Sequence, residues 1–174
     1  MESTWNRERT PALLAAATEL LWQLHADRVH TYARRHVGDD ADDVVSETFL
    51  VAWRRLDRVP DPALPWLLGV ARNVIRSRRR FERSRTGDLP EVFAMPDVAD
   101  TVAEDTDLFT GLRALAPADR EVLYLVGWED LDRRSAAAVL DCSPAAFAVR
   151  LHRARRRLRH HLENPTSQRT EVAR

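Results

Sequence analysis

The sequence predicts an all-α chain: two small helical domains joined by an acidic flexible linker, the second containing a helix-turn-helix. Three observations predict it. Apolar residues recur at helical rather than alternating spacing along most of the 174 residues. Charged residues reach 31% while aromatics stay at 7%, which suits helical surfaces better than a β-sandwich. The third is charge segregation beneath a net charge of zero, from 27 basic and 27 acidic side chains. Six Arg and one Glu lie between Arg76 and Arg85, and seven acids and no base between Thr86 and Leu112. Another six Arg and no acid lie between Arg150 and His161. Neutrality is therefore a cancellation, and zero net charge does not exclude a nucleic-acid partner.

Helical periodicity runs from about Pro11 to Val37, stops at Gly38-Asp39-Asp40 and resumes from Ala41 to about Leu56. Pro60 and Pro62 exclude helix from Asp57 to Pro62, because each removes a donor and restricts its predecessor. Pro65 then fits the first position of a helix reaching about Arg83. Gly87, Pro90 and Pro96 break any element in the apolar-poor stretch that follows, which reads as a linker. Short helices are predicted from Leu108 to Leu115, Pro117 to about Trp128, Asp132 to Leu140 and Pro144 to about Leu162, before a polar tail from Asn164. The expected domains are thus residues 10–85 and 108–163, with the linker at 86–107.

Several chemistries are not predicted. Cys142 is the one cysteine, which excludes an internal disulfide framework and a Cys-rich zinc module. No stretch has the length of apolar residues that a membrane span needs, and Glu19 interrupts the Leu13–Leu24 stretch that could pass for a signal core. Asp39, Asp40, Asp42 and Asp43 lack the spacing of a calcium loop, and the histidines do not converge. With no glycine-rich phosphate loop and no nucleophile elbow, the sequence predicts no catalysis, no cofactor and no metal. It reads as a cytoplasmic protein, its five tryptophans serving as core anchors.

Three helices carry information about partners. On the helix from Pro65, Leu67, Val70, Ala71, Val74 and Phe81 gather on one side, while Arg72, Arg76 and Arg80 fall opposite with Asn73 beside them. Three Arg at i, i+4, i+8 repel one another, which suits a phosphate backbone better than a merely solvated face. In the last helical pair, Asp132 can cap the first helix, Asp141-Cys142-Ser143 makes the turn and Pro144 starts the second. There Phe147, Leu151, Ala154 and Leu158 point inward, and Ala145, Ala148, Val149, His152, Arg153, Arg156 and Arg159 outward. The helix from Ala41 buries Val45, Phe49 and Ala52 and turns Asp43, Glu47, Leu50 and Arg54 outward. An acidic face with one apolar knob fits a partner site and a solvated face equally.

These residues carry a family resemblance. The run Ala41-Asp42-Asp43-Val44-Val45-Ser46-Glu47-Thr48-Phe49, then Ala52-Trp53-Arg54, Trp66-Leu67-Leu68 and Ala71-Arg72-Asn73, resembles region two of the extracytoplasmic-function sigma factors of bacterial RNA polymerase. Arg120-Glu121-Val122-Leu123 followed by Arg150-Leu151-His152-Arg153-Ala154-Arg155-Arg156 resembles their region four. The resemblance implies a transcription initiation factor of the sigma-70 family whose partners are core RNA polymerase and promoter DNA, with an anti-sigma factor as a further candidate. It implies clamp contacts from Asp43, Ser46, Glu47, Leu50 and Arg54, and minus-ten contacts from Trp66, Arg72, Asn73, Arg76 and Arg80, with Asn73 matching the asparagine of the flipped-base pocket. It places the helix from Pro144 in the minus-thirty-five major groove. The chain departs from the family at Ser46, where glutamine is usual, and at Asp141, where glycine is usual. Arg133, Arg134, Ala146, Ala148 and Val149 depart likewise. A stand-alone helix-turn-helix regulator would explain the C-terminal half alone.

Overall fold

The structure, a computed structural model, describes residues 11–86 and 107–163. The backbone divides into two compact units, Met1–Asp88 and Leu89–Arg174. The expected acidic linker and the polar tail lie outside the described residues, as does Trp5.

In the first unit three helices pack pairwise: α1 (Pro11–Val37), α2 (Ala41–Arg54) and α3 (Leu64–Thr86). The second half of α1 buries Val29, Tyr32, Ala33 and His36, an i, i+3, i+4, i+7 stripe. Gly38 adopts φ 61°, a left-handed conformation that side chains with a Cβ rarely adopt. It ends α1, and a 3₁₀ turn at Gly38–Asp40 leads into α2. Asp42 and Asp43 occupy the first turn of α2, where carboxylates favour the helix dipole. Helix α2 buries Val44, Val45, Thr48, Phe49 and Ala52, and the Thr48 hydroxyl donates to the Val44 carbonyl at 2.7 Å. Helix α3 closes the core with Leu67, Leu68, Ala71 and Ile75.

Two expectations fail in this unit. Phe81, expected on the apolar side of α3, is 65% exposed, because it lies past Ile75, the last buried residue among the described side chains of α3. The segment before α3 is not free of helix: Leu56–Arg58 forms a 3₁₀ turn, which precedes both prolines and so keeps its donors.

The second unit is organised around α7 (Pro144–Glu163), which packs on α4 (Asp107–Arg113), α5 (Pro117–Gly127) and α6 (Arg133–Val139). Its core joins Leu112, Leu115, Val122, Leu125, Ala136, Val139, Phe147, Leu151 and Ala154. Pro117 sits in the first turn of α5, where its missing donor costs nothing. Gly111 lets α4 approach closely, since a Cβ there would stand 3.1 Å from Leu162 Cδ2 and 3.2 Å from Leu158 Cδ1.

The expectation that tryptophans anchor the core is not met. Trp22, Trp53 and Trp128 are exposed, and Trp66 is only half-buried. Aliphatic side chains and alanines fill the core, and indoles pack at its edges instead: Trp22 lies 4.8 Å from the Phe49 ring, Trp128 4.8 Å from that of Tyr124. Among the described residues no helix is long and apolar enough to cross a membrane.

Candidate nucleic-acid interface

Helix α2 presents Asp43, Ser46, Glu47, Leu50 and Arg54 to solvent, one outward face as the spacing predicts. Leu50 is 43% exposed, and Trp53, one turn on, is 51% exposed. The apolar knob is therefore a pair. The two carboxylates are not unpartnered, however. Arg78 of α3 donates from Nε to Glu47 Oε1 at 3.0 Å and from Nη1 to Asp43 Oδ2 at 3.3 Å, and its Nη2 also reaches Glu47 Oε1. The Glu47 hydrogen bond holds the Arg78 guanidinium above its ordinary pKa.

On α3, Trp66, Arg72, Asn73, Arg76 and Arg80 fall within one arc of about 120° by helical geometry. Asn73, Arg76 and Arg80 are exposed, whereas Arg72 and Trp66 are half-buried. Arg78 turns the opposite way, and Arg79 lies just past the Arg72 edge of the arc. Arg79 donates through Nη2 to the His36 carbonyl, near the C-terminal end of α1, where a cation satisfies an orphan acceptor and meets the negative end of the helix. The arginine run is thus divided by helix phase, with some side chains fastening α3 to α2 and α1 and others facing outward.

The helix-turn-helix is built by two caps. Asp132 accepts the Ser135 N–H at 2.7 Å and so starts α6, and these hydrogen bonds lower its carboxyl pKa. The Ser143 hydroxyl accepts the Ala146 N–H at 3.1 Å and starts α7. Between them Asp141 adopts φ 51°, which explains why glycine is expected there and why aspartate, a tolerant residue for this conformation, serves. Along α7, Phe147, Leu151 and Ala154 are buried and Leu158 half-buried. Ala145, Val149, His152, Arg153, Arg156 and Arg159 are exposed on one arc, with Ala148 half-buried at its edge. Arg157 leaves that arc and pairs with Asp119 of α5. Among the described residues no His, Cys, Asp and Glu group is arranged to hold a metal ion.

Comparison with known proteins decides the family. The Sigma-70 region 2 family matches residues 21–85, and the Sigma-70, region 4 family matches residues 107–158. The ECF RNA polymerase sigma factor SigL of Mycobacterium tuberculosis is 33% identical over 160 residues, covering 83% of this chain and 88% of the relative. The chain belongs to the extracytoplasmic-function sigma factors of the sigma-70 family. A probable RNA polymerase sigma factor, RfaY of Xanthomonas campestris pv. campestris, is 34% identical over 135 residues, which are 70% of this chain but only 34% of that longer relative. In fold the sigma factor is similar to RpoE from Bartonella quintana, solved in complex with the anti-sigma factor NepR, with a TM-score of 0.64 and 25% identity over 83% of this chain and 96% of that one.

The sigma factor acts in transcription initiation, and both regions are needed to account for it: a stand-alone helix-turn-helix regulator leaves residues 21–85 without a role. Sequence reasoning missed Trp53, Arg78, Arg79, the Ser143 cap and the Arg157–Asp119 pair. One signal for Arg78 was present, namely two carboxylates one turn apart on α2 with no local cation between them.

Proposed function

We propose that this sigma factor meets core RNA polymerase through the outward face of α2, at Asp43, Ser46, Glu47, Leu50 and Arg54. In this reading residues 10–85 form the polymerase-binding and minus-ten domain, residues 108–163 the minus-thirty-five domain, and 86–107 the linker between them. Trp66, Arg72, Asn73, Arg76 and Arg80 receive the melted minus-ten strand. Ala145, Ala148, Val149, His152, Arg153, Arg156 and Arg159 enter the minus-thirty-five major groove. The protein works in the cytoplasm, brings no catalysis of its own and is restrained by an anti-sigma factor, as the pairing of the Bartonella relative with NepR suggests.

The observation that carries this reading is the separation of faces on one three-helix body. The α2 face offers carboxylates, Leu50 and Trp53, and the outward arc of α3 offers Asn73 with exposed Arg76 and Arg80. Rotating a base out of the stack costs roughly a few kcal/mol, so a strand-opening factor needs a polar acceptor beside cations that hold the backbone. Asn73 supplies donors and an acceptor for a base edge. On α7 the leading residues are apolar, which favours thymine methyl groups early in the groove.

The test is permanganate reactivity of minus-ten thymines with core polymerase present. Asn73→Ala is expected to bind core and duplex DNA normally while lowering thymine reactivity at saturating factor. Equal reactivity removes Asn73 from the site and leaves the arc as electrostatics alone.

A further inference from the structure

The arginine that sequence reasoning passed over lies beside the proposed polymerase face. Arg78 lies on α3, yet its guanidinium spans the two outward carboxylates of α2: Nε and Nη2 converge on Glu47 Oε1, and Nη1 reaches Asp43 Oδ2 at 3.3 Å. Arg78 is the least exposed of the three side chains, at 29% against 48% for Glu47 and 72% for Asp43, so the carboxylates are the more accessible groups of the cluster.

Two like charges at i, i+4 repel and would otherwise diverge. A planar fork of N–H donors holds both in one fixed geometry, whereas a lysine ammonium offers three rotatable donors on a point charge. Glu47 Oε2 takes no part in the pair with Arg78. We propose that Arg78 is a positioning residue for core polymerase binding, which holds Asp43 and Glu47 together on the α2 face so that their carboxylates are presented in one orientation to a cationic group of the polymerase. This rests on the reading of α2 as the polymerase face. Fixing the carboxylates beforehand removes ordering entropy from the binding step. It also leaves the three-residue cluster with one net negative charge rather than two.

The experiment titrates labelled full-length chain with core polymerase. Arg78→Ala is expected to bind core about three- to tenfold more weakly, the scale of one or two side chains that must be ordered on binding. Arg78→Lys should fall between Arg78→Ala and the wild type. In the Asp43→Asn/Glu47→Gln background, Arg78→Ala should have little further effect, because both groups it positions have lost their charge. Tighter binding by Arg78→Ala would overturn the proposal, since Arg78 would then compete with the polymerase for the carboxylates. Equal loss in the wild-type and Asp43→Asn/Glu47→Gln backgrounds would also overturn it.

Should Arg78→Ala lose helicity, the exchange Glu47→Arg with Arg78→Glu keeps the opposite-charge contact between α2 and α3 while reversing its polarity. It should fold and bind core poorly, and wild-type binding by that exchange would reduce Arg78 to a structural tie. Leu50→Asp separates this proposal from the reading beneath it. If Leu50→Asp leaves core affinity intact, α2 is not the polymerase face. If Leu50→Asp weakens binding and Arg78→Ala does not, the face stands and the positioning role falls.

Discussion

Helices α3 and α7 both read as arginine runs, but the two units use them differently. In α3 the run is split: Arg76 and Arg80 face solvent, whereas Arg78 and Arg79 fasten the helix to the acids of α2 and to the C-terminal end of α1. In α7 most of the run remains outward, with Arg153, Arg156 and Arg159 exposed and Arg157 tied to Asp119. The contrast follows from what each helix packs against. Helix α3 runs beside the acids of α2 and the end of α1, whose acceptors take up Arg78 and Arg79. Helix α7 is the hub of its unit and leaves Arg153, Arg156 and Arg159 exposed. An arginine count therefore overstates a nucleic-acid face wherever a neighbouring helix offers acceptors.

The largest expected effect tests whether α7 is the hub. Phe147 is fully buried where α7 meets the rest of its unit. Phe147→Ala should cost about 3–5 kcal/mol, comparable to what a domain this small has in reserve. Loss of protected amides throughout 107–163, with 11–86 unchanged, is the expected hydrogen-exchange result, and duplex binding should vanish with it. Loss of protection confined to α7 would show that α4, α5 and α6 hold together without it.

A smaller effect sharpens the arginine contrast inside α7. Arg153 is exposed halfway along α7, and as the candidate for a bidentate contact to guanine it should carry about 1–3 kcal/mol of discrimination between bases. Arg156→Ala and Arg159→Ala should weaken all duplexes alike and reduce the magnitude of the salt slope by about one each. Arg157→Ala should change neither selectivity nor slope, because Arg157 is tied to Asp119, whose side chain is largely covered. Equal losses on every base variant for Arg153→Ala would make it another backbone contact.

Much of the fold was legible because punctuation sits where helices end. Gly38, Pro60, Pro62, Pro65, Pro117 and Pro144 mark boundaries that the backbone respects to within a few residues. Most outward positions on α2, α3 and α7 followed from helical phase alone, although Arg72 and Ala148 are half-buried. What periodicity does not encode is where a packed neighbour stops. Phe81 has the right phase for the core but the wrong height along α3. Arg78 and the acids it spans are 31 and 35 residues apart, beyond any local rule. Nor does residue type give depth: Trp22, Trp53 and Trp128 are exposed.

The smallest effect concerns how the two units start the helices that carry these faces. Helix α2 begins without a side-chain cap at Asp40, whereas α6 begins with the Asp132 carboxylate accepting the Ser135 N–H. That bond, first among the causes, lowers the folded pKa of Asp132 below its ordinary value. A group whose folded pKa is depressed stabilises the native state above its unfolded pKa and loses that contribution as the pH falls through the folded one. The cap of α6 should therefore weaken on acidification below about pH 4, where an unperturbed aspartate begins to protonate. Asn is an equally good cap acceptor but does not titrate. Asp132→Asn should fold normally at neutral pH, and thermal melts of the C-terminal unit should fall less steeply below about pH 4 than those of the wild type. Parallel acid profiles for the two chains would mean that other carboxylates of the unit set its acid sensitivity and that the cap orients the turn without governing its titration.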